Sequence, residues 1–193
     1  MAIIFVKWEK DNEKSLKVSS LNCRSLNKHF QDISSDDLLL KSDLIALQET
    51  WLEDDDLTED FSIPGYTLHL NSNGRGKGLA IYFKNSIFKH HSDRKNDNIQ
   101  LSKFKSPNLD VITLYRSQPC ALKTLNKLLE DMIEMGEPQL LVGDFNFCYL
   151  HASSNATGKY LRQSNFKQLI NEPTHIEGNL IDQAHFRDTT ENF

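Results

Sequence analysis

The stretch Gln139-Leu-Leu-Val-Gly-Asp-Phe-Asn146 constrains the fold of this chain more than any other. Gln139–Val142 reads as a buried strand, Gly143 as the residue that lets the backbone turn, and Asp144 and Asn146 stand where the strand ends. Residues two apart in an extended chain point the same way, so a carboxylate and an amide would share one face. The tip of a core strand is a rigid platform for chemistry. The same residues equally describe a strand followed by an Asx-rich turn, so the stretch gains meaning only from its company.

Further strands are expected at Ala2–Trp8, Leu16–Leu21, Leu44–Gln48, Tyr66–Leu70, Gly78–Phe83, Asp110–Tyr115 and Leu180–Phe186, from β-branched runs and alternation. Tyr66–Leu70 and Gly78–Phe83 pair as a hairpin. Helices are expected over Lys28–Leu40, with Asn27 as N-cap, over Ala121–Met135, closed by Gly136 and Pro138, and around Lys159–Ile170. Lys10–Ser15 and Ser153–Gly158 read as polar connections, and Pro119 ends the strand at Asp110–Tyr115. The acidic run Glu53–Asp60 reads as a solvated loop. Lys84–Lys105 is locally basic and reads either as a phosphate-contacting face or as an ordinary loop. Its neighbours His90 and His91 point to opposite sides of an extended chain, which argues against a shared metal. With no repeat or linker, residues 1–193 form a single domain, a mixed-sheet α/β sandwich with helices covering the sheets.

An apolar content of 38% and a net charge of −5 fit a globular protein that does not bind polyanions over its whole surface. Cys23, Cys120 and Cys148 are scattered without zinc spacing and read as free thiols. No run approaches the roughly 18 apolar residues of a membrane span, and no secretory leader is legible. The expectation is an intracellular protein, nuclear or cytoplasmic, not secreted and not membrane-bound.

Four expected strands place polar residues at comparable ends: Asn22, Glu49, Tyr115 with Arg116, and Asp144 with Asn146. Converging strand ends are where ligands bind in open α/β sheets. These oxygen-rich side chains suit Mg²⁺, with Mn²⁺ as the alternative, better than zinc. Glu49 is the first choice of metal ligand, with Asn22 in or just behind the shell. Asp144 and Asn146 would address an attacking water and the phosphorane oxygens, and Tyr115 can donate its phenol hydrogen to a phosphate.

Val18-Ser-Ser-Leu-Asn22, Leu47-Gln-Glu-Thr50, Gly78-Leu-Ala-Ile81, Leu114-Tyr-Arg116, Val142-Gly-Asp-Phe-Asn146 and Pro173-Thr-His175 follow one another along the chain. In that order they resemble the endonuclease/exonuclease/phosphatase superfamily, and within it the apurinic-type endonuclease domains of LINE-like retrotransposons and Helitron-like transposons. The resemblance runs from about Leu16 to about Arg187. It implies a two-sheet sandwich with helices outside (four layers, αββα) that hydrolyses DNA phosphodiester bonds with a Mg²⁺-activated water. It also implies roles: Glu49 and Asn22 at the metal, Tyr115 on the scissile phosphate, Asp144 on the water with Asn146 beside it. Thr174 matches a position near the substrate groove, where packing serves equally well. Arg116 sits next to Tyr115 on the substrate side, without a defined role.

The resemblance further implies a final strand carrying Ser-Asp-His, whose histidine is oriented by an earlier aspartate, here Asp182. No such triplet follows Asp182, and His185, three residues on, is expected to face the other way. The expectation is therefore a domain incomplete at its C-terminus, with its final strand missing and its activity impaired. Two alternatives stand: a non-catalytic relic that binds nucleic acid or protein, and a phosphatase acting on a sugar or lipid phosphate.

Overall fold

Two strand–helix–strand units frame the molecule and bring four strand ends to one side. The computed structural model describes residues 3–9, 15–52, 58–72, 77–118, 121–134, 137–150 and 155–188. In chain order it lays down β1 (Ile3–Trp8), β2 (Leu16–Asn22), α1 (Leu26–Ser35), β3 (Leu44–Gln48), β4 (Thr67–Asn71) and β5 (Leu79–Phe83). These strands form one sheet in the order β1-β2-β3-β5-β4. Next come β6 (Lys89–Asn96), β7 (Ile99–Lys105), β8 (Asp110–Arg116), α2 (Leu122–Glu130), β9 (Gln139–Asp144), α3 (Ala156–Gln163), β10 (Lys167–Gln168) and β11 (Asp182–Arg187). They form the second sheet, in the order β10-β11-β9-β8-β7-β6.

Within these sheets β2–β3 and β8–β9 are parallel and the other pairs antiparallel. A parallel pair cannot be closed by a tight turn, so α1 and α2 carry the crossovers and both strands of each pair finish at the same end. Alternate side chains then fill three apolar layers. Leu44 and Ala46 of β3 meet Leu140 and Val142 of β9 between the sheets. Ile45 and Leu47 pack outward with Leu26 and Ile33 of α1. Leu141 packs outward with Leu125, Leu129 and Leu161 of α2 and α3. Helix, sheet, sheet, helix is the αββα sandwich expected from the sequence.

Several local expectations give way. Helix α1 starts at Leu26 rather than Lys28, because the backbone N–H groups of Ser25 and Leu26 donate to the carbonyls of Glu49 and Thr50, each at 2.8 Å. A neighbouring strand end, not Asn27, satisfies those helix-start donors. The helix expected at Lys159–Ile170 begins earlier, at Ala156, where the Asn155 side chain accepts from the Gly158 N–H at 2.6 Å. It ends at Gln163, before β10. Helix α2 stops at Glu130.

The basic segment Lys84–Lys105 is mostly two antiparallel strands, β6 and β7, and three of its six lysines and arginines are paired with carboxylates, while Lys89, Arg94 and Lys95 are exposed. Lys84 pairs with Asp43 at 3.0 Å, Lys103 with Asp110 and Glu134 at 2.9 Å each, and Lys105 with Glu134 at 2.7 Å. A phosphate-contacting face is not what those lysines build. Cys23 and Cys148 are free thiols, and no helix among the described residues is long and apolar enough to cross a membrane. The turn at residues 10–14, most of the acidic run (residues 53–57), the polar connection at 151–154, and Pro119, Cys120 and Gly136 lie outside the described residues.

Candidate active site

The parallel ladder of β2 and β3 places Asn22 opposite Gln48, one residue before Glu49. Past the strand ends the pairing continues: Cys23 N–H donates to Gln48 O at 2.9 Å and Ser25 N–H to Glu49 O at 2.8 Å. On the other side Trp51 N–H donates to Lys77 O at 3.1 Å. Glu49 is therefore held by its own carbonyl on one flank and through Trp51 on the other. In the other sheet Tyr115 of β8 and Asp182 of β11 both sit in register with Asp144 of β9. Residues in register present side chains to the same face, so three strands offer a phenol and two carboxyls in a row.

The two halves meet through one amide. Asn22 Nδ2 donates to Glu49 Oε1 and to Asp144 Oδ2, each at 2.9 Å. Its own Oδ1 accepts from the Arg24 N–H at 3.2 Å. Asn146 reaches Asp144 twice, its backbone N–H to Oδ1 at 2.9 Å and its Nδ2 to Oδ2 at 3.4 Å. Asn146 does this from a left-handed conformation, φ 50°, and not from an extended chain. The Asx turn and the Asp144–Asn146 pair are thus the same structure. Gly143 does not turn either: it lies inside β9, where its role is close approach to β8.

Left-handed backbone gathers at this end. Of the six non-glycine residues with positive φ among those described, Arg24, Ser25, Glu49, Trp51 and Asn146 all follow β2, β3 or β9. Such conformations cost of order 1–3 kcal/mol each and persist only where the surroundings impose them. Arg116 supplies one such constraint. It is buried, and its Nη1 donates to the carbonyls of Phe145 and Asn146 at 3.0 Å each. The structure points this guanidinium at the loop that carries Asn146, not outward toward a substrate. Arg116→Met is expected to lower stability by about 2 kcal/mol, the worth of a buried charged hydrogen-bonding group, read as a lower urea midpoint.

Electrostatics mark the cluster as short of positive charge. Burial, then the charge of Asp182, pushes the Asp144 carboxyl up to about 7, against hydrogen bonds from Asn146 and Asn22, with Glu49 adding to the rise. Asp182 is also raised, first by burial, although Thr174 and His175 act the other way. Tyr115 is raised by burial, then by the charges of Glu49 and Asp144. It therefore stays protonated and remains a donor. Thr174 Oγ1 accepts from the N–H groups of Ile181 and Asp182 at 3.2 and 3.0 Å, fixing where β11 begins.

A recess of about 460 Å³ opens beside this row, lined by Asn22, Arg24, Thr174, His175, Ile176, Ile181 and Asp182. Arg24 brings positive charge and His175 an imidazole to its wall; Arg24 does not stand out in sequence, and His175 does so only as the end of the Pro173-Thr-His175 match. Arg24 lies in an irregular turn without a period to flag it, and His175 sits in a turn closed by Gly178 N–H to His175 O at 2.9 Å. His185 does face away: it is buried against Phe145 and Tyr149 and bonded to Gln183 at 2.9 Å, with burial pushing its pKa down to about 3.

Oxygen donors alone fill the converging strand ends, the donor set of a hard divalent cation such as Mg²⁺ or Mn²⁺. An αββα sandwich of two mixed sheets brings an acidic, oxygen-lined cluster to its parallel strand ends. More particularly, the chain belongs to the endonuclease/exonuclease/phosphatase family, which matches residues 19–191. Its members are nucleases and phosphatases that typically use divalent metals. The fold is similar to an AP endonuclease from Archaeoglobus fulgidus, at 16% identity over 89% of this chain and 86% of that one, TM-score 0.68. It is similar to the 3′-5′ exonuclease NExo from Neisseria meningitidis, at 14% identity over 88% and 86%, TM-score 0.65. A third likeness is the endonuclease domain of TRAS1, a telomere-specific non-LTR retrotransposon, at 11% identity over 89% and 84%, TM-score 0.62. No curated protein matches by sequence.

Proposed function

We propose that this chain hydrolyses phosphodiester bonds in DNA with a divalent cation, Mg²⁺ or Mn²⁺, as an endonuclease of mobile-element type. The observation that carries the reading is the Asn22 amide joining Glu49 and Asp144 at 2.9 Å each, one carboxylate from each sheet. Asp144 is fully buried and Glu49 adds to the rise of its carboxyl, so the pair favours compensating charge, and oxygen donors name a hard cation. The fold shared with an AP endonuclease and a retrotransposon endonuclease domain supports the substrate class.

Glu49, with Asn22 behind it, would hold the metal, which when bound supplies charge neutralisation at the phosphoryl oxygens and a more acidic water. The other steps belong to the protein. Asp144, locked by Asn146 and Asn22, accepts the proton of the attacking water, and a carboxyl titrating near neutrality suits a general base. Tyr115, kept protonated by burial and the neighbouring carboxylates, donates its hydroxyl to a phosphate oxygen. Arg24 and Thr174 face the recess where the neighbouring nucleotide lies, and Asp182 keeps its wall acidic.

The test is nicking of supercoiled plasmid by the purified protein with Mg²⁺, beside Glu49→Ala and Asp144→Ala. The expected result is nicking that falls about 10²–10⁴-fold in either variant. Parallel arms offer a 3′-phosphorylated oligonucleotide and a sugar phosphate. Phosphate release from either without nicking moves the chain to the phosphatases. No turnover above the variants in any arm overturns the enzymatic reading and leaves a binding relic.

A further inference from the structure

β4 and β6 are open edges of the two sheets. His69 of β4 and His90 and Asp93 of β6 come together there. His69 Nε2 lies 3.1 Å from both Asp93 oxygens, and His90 Nε2 lies 3.1 Å from Asp93 Oδ1. We propose that His69, His90 and Asp93 form a zinc site that clips the edges of the two sheets together.

The register shows how β6 supplies two of the ligands. His90 and Asp93 are three apart and would face opposite ways on a regular strand. A β-bulge between His90 and Ser92 adds a residue, so His90 pairs with Phe104 and Asp93 with Ser102, two positions on the same face of β7. Bulges of this kind re-aim side chains. His91 is turned away and approaches Glu134 at 3.7 Å.

The geometry suits a tetrahedral ion. Zinc bonds of 2.0–2.2 Å put two ligand atoms roughly 3.3 Å apart, close to the 3.1 Å separations here. All three ligand atoms lie within 4.8 Å of one another. Two imidazoles and one carboxylate make a borderline-soft set, unlike the all-oxygen set at Glu49 and Asp144. The surroundings orient the ligands from behind. The imidazoles stack at 3.8 Å and both stand edge-on to the buried ring of Phe104. Ser102, in register with Asp93 on β7, accepts from Asn71 Nδ2 at 3.1 Å. Supports of this sort fix the rotamers of metal ligands. The three side chains stay one-fifth to one-third exposed, which leaves a water room at the fourth position.

The test is zinc binding to the metal-stripped protein in excess Mg²⁺, followed by thermal unfolding and by the visible absorption of Co²⁺ as a tetrahedral reporter. At zinc about 100-fold above its Kd, Tm is expected to rise by about 5 °C. The rise and the cobalt bands should vanish in His69→Gln and His90→Ala and persist in Glu49→Ala and His91→Ala. No zinc-dependent rise in the natural protein, or an equal rise in His90→Ala, overturns the proposal and leaves a metal-free His–Asp–His hydrogen-bond cluster. His90 is exposed enough for its alanine variant to fold, so that arm decides if His69→Gln does not.

Discussion

Gly143→Ala is expected to unfold the working end of the second sheet, at a cost of about 4 kcal/mol. A Cβ at this position would stand 1.9 Å from the Leu114 carbonyl oxygen and 2.8 Å from its carbon, both backbone atoms of the adjacent parallel strand. A flexible side chain could swing aside, but a paired strand cannot. The backbone here also has φ 150°, where a side chain is strained irrespective of space. Overpacking alone costs about 1–3 kcal/mol and backbone strain adds a similar amount. The next residue pair in the ladder is Tyr115 with Asp144, so whatever shift relieves the clash moves both. Displacement by about 1 Å is enough to lower turnover by about 10²-fold. Urea unfolding measures the first effect and plasmid nicking the second. A variant with the natural urea midpoint would show that the close approach of β8 and β9 is not needed.

Asp144→Asn is expected to separate stability from activity. The folded carboxyl titrates at about 7, while in the unfolded chain it returns to about 3.9. The folded state therefore holds this proton more tightly. Its stabilising contribution is complete below about pH 3.9 and is lost as pH rises through 7. In metal-free buffer at pH 8 the buried charge costs up to roughly 4 kcal/mol, offset in the variant by one poorly placed amide against Asn22. Asp144→Asn should raise Tm by about 3 °C there, and the gain should disappear and reverse toward pH 4, where only the cost of the misplaced amide remains. Over the same series nicking with Mg²⁺ should fall about 10²–10⁴-fold. A variant that is inactive and also less stable at pH 8 would mean that the Asn22 and Asn146 hydrogen bonds outweigh the buried charge.

Much of this site is legible in the chain because its signals are local. An apolar β-branched run ending in a carboxylate or amide announces Glu49 and Asp144, and the helical spacing from Leu122 onward announces the crossover before β9. Where the signals are not local, reading fails in recognisable ways. β6 is a polar, exposed edge strand with only one face against the protein, so it carries no apolar alternation. The start of α1 depends on carbonyls of Glu49 and Thr50, more than twenty residues downstream. Asn146 looked like the partner of Asp144 by strand alternation, and is its partner through a left-handed turn that breaks alternation.

By itself, then, the sequence determines which side chains stand at strand ends and that helices cover a mixed sheet. Hydrophobic period and residue type act over a few residues and survive in any register. The tertiary structure alone decides that Asn22 spans Glu49 and Asp144, that Asp182 and Tyr115 flank Asp144, and that Arg116 turns inward to hold the Asn146 loop. It decides too that a bulge brings His90 and Asp93 to His69. Each of these depends on pairing between segments up to 122 residues apart, where one residue of slip would turn every side chain to the opposite face. The Gln139–Asn146 stretch names the chemistry, and the pairing of strands around it supplies the geometry in which that chemistry can act.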